Sequence, residues 1–341
     1  MKKLLLSLSL GIFSFANAQS WKIVTNEKEI KPVGERVIVP KKYKVFHLGD
    51  NNFKNALWAS PDEKQVDLAS SSAIIQLPMP DGTLKQFRVV QSPVMAPELA
   101  AQFPNLKTFN VVCIDEPGVY GKLDWTEMGF HAMLRRAGGD IFIDPYSRNN
   151  YTDYTTYYKF DLEKDPKYVI AEEGGDVIRP VSPSTPPIDK KKDGGAVEKT
   201  EAITCVGGTL RTYRLAVACT GEYAVAATGQ ASPTVAQTLS AIVTTVNRVD
   251  GVYETDLSIK LVLVATETVV VYTKASTDPF TGNNNANTLI NESQTVIDNN
   301  IGNANYDVGH TFSTGGGGLS TLGGVCTTGQ KASSITGSPQ P

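Results

Sequence analysis

The stretch "TLRTYRLAVACTGEY", Thr209–Tyr223, opens the most regular part of this chain. Tyr213, Leu215, Val217 and Cys219 occupy every second position, and such alternation predicts a strand with these four side chains on one face. The pattern of elements that follows this strand decides the fold class of the second half of the chain.

A helix, a strand, a helix and a strand are predicted in that order after this stretch. Ser232 and Pro233 fit an N-cap and a first helical residue, and apolar residues from Val235 to Val249 then recur at spacings of three and four. The other three predicted elements are the strand "LSIKLVLVATETVVVY" (257–272), the helix "NTLINESQTVIDNNIG" (287–302) and the strand "YDVGHTFST" (306–314). This β-α-β-α-β order favours an α/β domain with a mixed, mostly parallel sheet and covering helices.

The first half of the chain has a different pattern, with short strands separated by turns. Pro80-Asp81-Gly82 joins two alternating segments and predicts a hairpin, and "APELAAQFP" (96–104) predicts a brief helix. "GGDIFIDPYS" (138–147) and "YTTYYKFDL" (154–162) predict further strands. We therefore expect a β-rich α+β domain before the α/β domain.

A segment rich in proline and lysine, residues 179–202, separates the two halves. Prolines lack a backbone donor and charged side chains resist burial, so the segment is expected to be a linker. Within it, Lys190, Lys191 and Lys192 form a candidate processing site for a trypsin-like protease. The alternative is a plain tether between two domains.

The first eighteen residues have the pattern of a secretory signal peptide. Lys2 and Lys3 precede an apolar run, and Ala16-Asn17-Ala18 forms a small-residue cleavage site. The apolar run is shorter than the ~20 residues that a bilayer-spanning helix needs, so we expect a secreted protein without a membrane span. A net charge of −3 argues against nucleic acid as a partner.

The glycine-rich stretch "FSTGGGGLSTLGGVC", Phe312–Cys326, does not match a nucleotide-binding loop. It lacks the lysine of a phosphate-binding loop and the following helix of a dinucleotide site, and Ser320 is not in a G-x-S-x-G context. His47, His131 and His310 are far apart in sequence, and none belongs to an H-E-x-x-H motif. His310 shares its alternation with Tyr306, Val308 and Phe312, so we expect a core histidine rather than a metal ligand.

Four segments of the second half resemble one family, the secreted bacterial reprolysin-like zinc metallopeptidases, which are metzincins. The segments are "LRTYRLAVACTGEYA", "IVTTVNRVDGVYETDLSIKLVLV", "IGNANYDVGHTFSTGGGG" and "GVCTTGQKASSITGSPQP". Upstream, "QSPVMAPELAAQFP" and "GFHAMLRRAGGDIFIDPY" resemble the propeptide of such enzymes. The resemblance implies a signal peptide (1–18), a propeptide domain (19–178), a linker (179–202) and the N-terminal part of a catalytic domain (203–341).

The resemblance also implies a motif that this sequence does not contain. In the family an H-E-x-x-H-x-x-G-x-x-H helix follows soon after the Gly-Ser-Pro-x-Pro stretch, and it supplies the zinc ligands and the general base. We therefore expect the precursor of a zinc endopeptidase, truncated before its zinc helix. These residues alone are expected to bind no zinc and to be inactive, whereas the full-length parent would use zinc to cleave peptide or protein substrates.

The resemblance assigns roles to several other residues. An edge strand of Gly318, Leu319, Ser320, Thr321 and Leu322 would hold the substrate peptide, and Gly315 to Gly318 would let the chain leave the preceding strand. The propeptide would pack on the catalytic domain.

The cysteines have open alternatives. Cys205 and Cys219 are a candidate disulfide pair, and "GLSTLGGVC" implies that the partner of Cys326 lies in the missing part. Cys113 is either a latency thiol for the zinc or, as free cysteines commonly are, a buried apolar residue. A secreted, non-enzymatic β-rich binding or adhesion protein is the alternative function.

Overall fold

The computed structural model describes residues 20–49, 51–162, 207–315, 317–339 and 341. The predicted signal peptide, the predicted linker with Lys190, Lys191 and Lys192, and Cys205 all lie outside these residues. We call residues 20–162 the N-terminal unit and residues 207–341 the C-terminal unit, because each contains one sheet.

The N-terminal unit contains a nine-stranded antiparallel sheet and two short helices. Its elements are β1 (Trp21–Ile23), β2 (Lys44–Leu48), α1 (Asn52–Trp58), β3 (Ile74–Pro78), β4 (Leu84–Gln91), α2 (Pro97–Gln102), β5 (Lys107–Cys113), β6 (Tyr120–Thr126), β7 (Gly129–Arg135), β8 (Ile141–Pro145) and β9 (Asp153–Tyr158). The strand order is β1-β2-β9-β8-β7-β6-β5-β4-β3. The predicted hairpin at Pro80–Gly82 is the β3–β4 connection.

An aromatic core holds this unit together. Trp21 and Phe130 are fully buried, and Phe53 is almost fully buried. The Phe53 ring packs edge-on against both other rings, with centroids 5.2 Å from Trp21 and 5.0 Å from Phe130. Large aromatic side chains bury much apolar surface per residue, so a few of them stabilise a thin, strand-rich unit.

The C-terminal unit has a five-stranded mixed sheet between helices. Its elements are β10 (Arg211–Cys219), α3 (Gly221–Thr228), α4 (Val235–Leu257), β11 (Ile259–Leu263), α5 (Ala286–Asn300), β12 (Val308–Ser313), β13 (Gly317–Ser320) and β14 (Ser334–Gly337). The strand order is β11-β10-β12-β14-β13, and every pair is parallel except β14 with β13. Apolar residues of α4 pack on one face of this sheet and those of α5 on the other.

The predicted order of elements is present, but several boundaries differ. Helix α4 begins after Thr234, not Ser232: the Thr234 hydroxyl accepts a hydrogen bond from the Gln237 amide, and the Gln237 side chain accepts one from the Thr234 amide. This reciprocal capping box outcompetes the Ser-Pro pair as a helix start. The strand prediction through Tyr223 is also wrong, because Thr220 caps α3 by accepting from the Tyr223 amide.

The predicted strand 257–272 is shorter than expected, because β11 ends at Leu263. Glu267 then begins a short 3-10 helix, Glu267–Val270. Its fully buried carboxylate accepts a hydrogen bond from the Val217 amide at 2.8 Å. The side chain therefore takes the place of a strand partner beside β10, and burial raises the pKa of Glu267 well above its ordinary value.

Candidate functional site

Strand β13 forms one edge of the C-terminal sheet. It pairs with β14 from Gly317↔Gly337 to Ser320↔Ser334, and no other strand in the described part of the chain pairs with it. Leu319 is 4% exposed and anchors the strand in the core, whereas Gly318 and Ser320 are exposed. The strand is thus fixed on one side and open on the other.

The register identifies which backbone groups face the open side. The Thr321 amide donates to the Ser333 carbonyl at 2.9 Å, so this pair is of the hydrogen-bonded type. Hydrogen-bonded and non-hydrogen-bonded pairs alternate along an antiparallel ladder. The N–H and C=O groups of Ser320 and Gly318 therefore point away from β14, toward the open edge.

The structure places four of the five predicted edge residues along this ladder. Gly318, Leu319 and Ser320 lie in β13, and Thr321 adds one further hydrogen bond to the ladder. Leu322 lies beyond the strand in a turn and is 62% exposed. The contact of these residues with a peptide stays a prediction.

Two glycines make the entry to β13 possible. Gly317 has φ of +96°, a conformation that side chains disfavour. A Cβ at Gly315 would lie 2.1 Å from the Asn283 carbonyl oxygen, so only glycine fits there. These positions agree with the expected role of the glycine run in leaving the preceding strand.

A cavity of about 920 Å³ lies beside this edge, between α4 and the sheet. Its walls are mostly apolar, and all of them come from residues 213–336 of the C-terminal unit. Apolar wall residues include Leu215, Val246, Val249, Leu261, Val308 and Phe312. Polar wall residues include His310, Ser320, Ser334 and Thr336, which are grouped on β12, β13 and β14. The cavity is large enough to hold several side chains of a ligand or of another protein segment.

His310 lies on the cavity side of β12, held between two hydroxyl groups. Its Nδ1 is 2.8 Å from Ser334 Oγ and its Nε2 is 2.9 Å from Thr336 Oγ1. A neutral imidazole donates with one nitrogen and accepts with the other, and both partners suit either role. Desolvation lowers the pKa of His310 to about 4, so the ring is neutral near pH 7.

One of the residues predicted to lie on the same face as His310 does not lie there. Val308 and Phe312 share its face, as expected, and pack against the α4 side of the sheet. Tyr306 does not, because it precedes β12 and is buried in the core on the α5 side. The Tyr306 hydroxyl donates to Asp298 at 2.7 Å, which turns this ring to the opposite face.

The described histidines do not form a metal centre together. His47 is hydrogen-bonded with Asp153 and His131 with Asp124, both in the N-terminal unit and both at 2.9 Å. Within the described ranges, no group of three or more histidine, cysteine, aspartate or glutamate residues is arranged to hold a metal ion.

The cysteines take three different positions. Cys113 is 1% exposed in the core of the N-terminal unit and does not line the cavity, which favours its structural alternative over a latency thiol. Cys219 is buried, with its Sγ 3.5 Å from the Tyr272 carbonyl oxygen, and its pairing with Cys205 stays a prediction, since Cys205 is not among the described residues. Cys326 is free and exposed.

Sequence reasoning missed Ser334 and Thr336, which orient His310. Both belong to β14, a strand of four residues that lacks a run of large apolar side chains. The available signal was the alternation of Ser334, Ile335 and Thr336, in which Ile335 is buried among the residues that contact α5. So short a polar segment is hard to distinguish from a turn without its partner strands.

Comparison with known proteins bears on the C-terminal unit. A search among curated proteins finds no match to the chain. None of the helices in the described ranges combines the length and apolar character needed to cross a bilayer. The family model of the reprolysin-like metallo-peptidases, family M12B, matches residues 209–340, which span β10 to β14. Residues 209–340 of this chain therefore belong to the reprolysin-like metallopeptidases of family M12B.

Proposed function

We propose that this chain is the precursor of a secreted zinc metalloendopeptidase that binds its substrate along β13. The N-terminal sequence pattern of a signal peptide supports secretion, and the family of residues 209–340 supports peptide-bond hydrolysis. In this proposal residues 19–178 are the propeptide and residues 203–341 are part of the catalytic domain.

The open edge of β13 is the observation that carries the proposal. An extended peptide can add to such an edge as a further strand, because the unpaired N–H groups there can donate main-chain hydrogen bonds and the unpaired C=O groups can accept them. Gly318 and Ser320 would supply these groups. The neighbouring cavity would receive side chains of the peptide or of the segment that completes the site.

Zinc, when bound, supplies Lewis acidity and an activated water for attack on a peptide carbonyl. The described histidines do not fit such a site, because no three histidine, cysteine, aspartate or glutamate residues within the described ranges are arranged to hold a metal ion. We therefore propose that the zinc ligands lie outside residues 1–341, whose sequence has no H-E-x-x-H motif. These residues alone would then have no peptidase activity.

Replacing Ser320 with proline tests the role of the edge strand. Proline removes the Ser320 N–H, which points to the open side, and leaves the hydrogen bonds to β14 in place. Losing one main-chain hydrogen bond to substrate should lower kcat/KM for casein about five- to tenfold in the precursor that includes the zinc motif.

Ser320→Ala is the matched control, since it removes the hydroxyl and retains the N–H. Its kcat/KM should stay within about twofold of the unsubstituted enzyme, because exposed side chains contribute little. Equal activity of Ser320→Pro and Ser320→Ala would show that substrate does not pair with this strand.

A further inference from the structure

The N-terminal unit packs against one side of the C-terminal unit, at α4 and β11. Val94, Met95 and Leu99 are at most 5% exposed and belong to the same apolar cluster as Leu239 and Val243 of α4. The two units therefore share a core at this surface, which we call the α4–β11 contact.

Backbone pairing extends the C-terminal sheet into the N-terminal unit. The Leu263 amide donates to the Val94 carbonyl at 2.8 Å, and the Ala96 amide donates to the Leu263 carbonyl at 2.9 Å. Met95 thus forms a parallel bridge with Leu263 on the outer side of β11. The edge of the sheet opposite to β13 is covered.

Ion pairs also cross the same contact, some with the cation in the N-terminal unit and some with the cation in the C-terminal unit. Lys122 of β6 binds Glu254 at 2.6 Å, and Arg135 of β7 binds Asp256 at 3.0 Å. In the reverse sense, Arg248 of α4 binds Asp144 at 2.5 Å.

A fourth ion pair joins Lys260 of β11 to Glu63 of the N-terminal unit. The Lys122 and Lys260 side chains are only 3% and 7% exposed, so their charges depend on partners in the other unit.

A glycine allows the close approach of the two units. A Cβ at Gly251, inside α4, would lie 2.4 Å from Met133 Cε and 3.1 Å from Lys122 Cγ. One turn earlier, Asn247 Nδ2 donates to the Leu123 carbonyl at 2.9 Å. The Met133 and Lys122 side chains of β7 and β6 therefore pack directly on the backbone of α4 at Gly251.

The contact leaves the candidate peptide site uncovered. Strands β11 and β13 are at opposite edges of the five-stranded sheet. The large cavity has no wall residue from the N-terminal unit, and Ser320 is exposed although that unit is bound. An occluding propeptide would have to lie over β13 or in this cavity.

We propose that the N-terminal unit is a clamp that holds α4 and β11, stays bound after the chain between the units is cut, and leaves the peptide-binding edge accessible. The significance of the accessible edge rests on the proposed function, whereas the clamp itself rests on the contacts above. Separation would expose the shared core and leave buried charges without partners, so the two units should remain associated.

A cut between the units tests this directly. We would replace Lys190–Lys192 by the recognition site of a specific protease, fold and purify the whole chain, and then cleave it. The two fragments should elute as one complex in size-exclusion chromatography at physiological salt. Separate elution of the fragments would overturn the clamp.

Charge variants test the basis of the association. Glu254→Gln leaves the Lys122 charge buried without its partner and should raise the dissociation constant of the cut fragments at least about tenfold. Glu116→Gln, which breaks the Lys85–Glu116 pair within the N-terminal unit, is the matched control and should have no effect. Equal dissociation constants for the two variants would contradict the role of the crossing ion pairs.

If the Glu254→Gln chain does not fold, Arg135→Gln tests the more exposed pair with Asp256, which should weaken the complex about two- to threefold. No change on that substitution would count against the crossing ion pairs.

Thiol labelling tests whether the edge is accessible. In the uncut chain, Ser320→Cys in a Cys326→Ser background should react with a maleimide within about tenfold of the rate of the exposed Cys326 in the unsubstituted chain. Protection of Ser320→Cys by more than about a hundredfold would identify an occluding unit instead. Neither readout uses peptidase activity, so failure of the clamp and failure of the proposed function are distinguishable.

Discussion

His310 is a neutral polar residue in the wall of a mostly apolar cavity. Its pKa is lowered by desolvation to about 4, below the ordinary value of 6.5. A depressed histidine pKa contributes stability that is present above pH ~6.5 and is lost as the pH falls toward 4, because the unfolded chain binds the proton more tightly.

The contribution of His310 to the unfolding free energy should therefore fall between pH ~6.5 and 4. His310→Gln retains hydrogen bonding to Ser334 and Thr336 and removes the titration, so its unfolding free energy should depend less on pH in this window. Urea unfolding at several pH values measures this. His47→Gln is the control, and an equal loss of pH dependence in both variants would contradict the assignment to His310.

At the scale of the element, α4 matters most, because it contacts both the sheet and the N-terminal unit. Its start was predictable to within two residues from its apolar spacing and the Ser-Pro pair. The true cap, Thr234, depends on the reciprocal hydrogen bonds with Gln237, whereas the sequence pattern favoured Ser232. Local geometry, rather than residue type, decides between them.

Thr234→Ala should lower the unfolding free energy by about 1 kcal/mol, because one orphan amide at the helix start loses its acceptor. Ser232→Ala, which alters the cap that the sequence favoured, should change it by less than about 0.5 kcal/mol. Chemical denaturation of the two variants checks this. A larger effect at Ser232 than at Thr234 would mean that the helix begins earlier than the structure places it.

At the scale of the whole molecule, the sequence allowed the order of elements to be predicted but not how distant segments meet. Strand and helix periods are local, so β10, α4, α5 and β12 could be recognised one at a time. The partners of His310 lie 24 and 26 residues further along the chain, and Val94 and Leu263 belong to different units. Such pairings depend on the packed fold and have no local signal.

Zinc content and peptidase activity, measured together, test the central claim most directly. The precursor extended through an H-E-x-x-H-x-x-G-x-x-H segment should hold one zinc per chain and cleave casein, and a chelator should abolish that cleavage. The protein ending at Pro341 should show neither property. Tight stoichiometric zinc in that shorter protein, lost on His310→Gln substitution, would contradict the account.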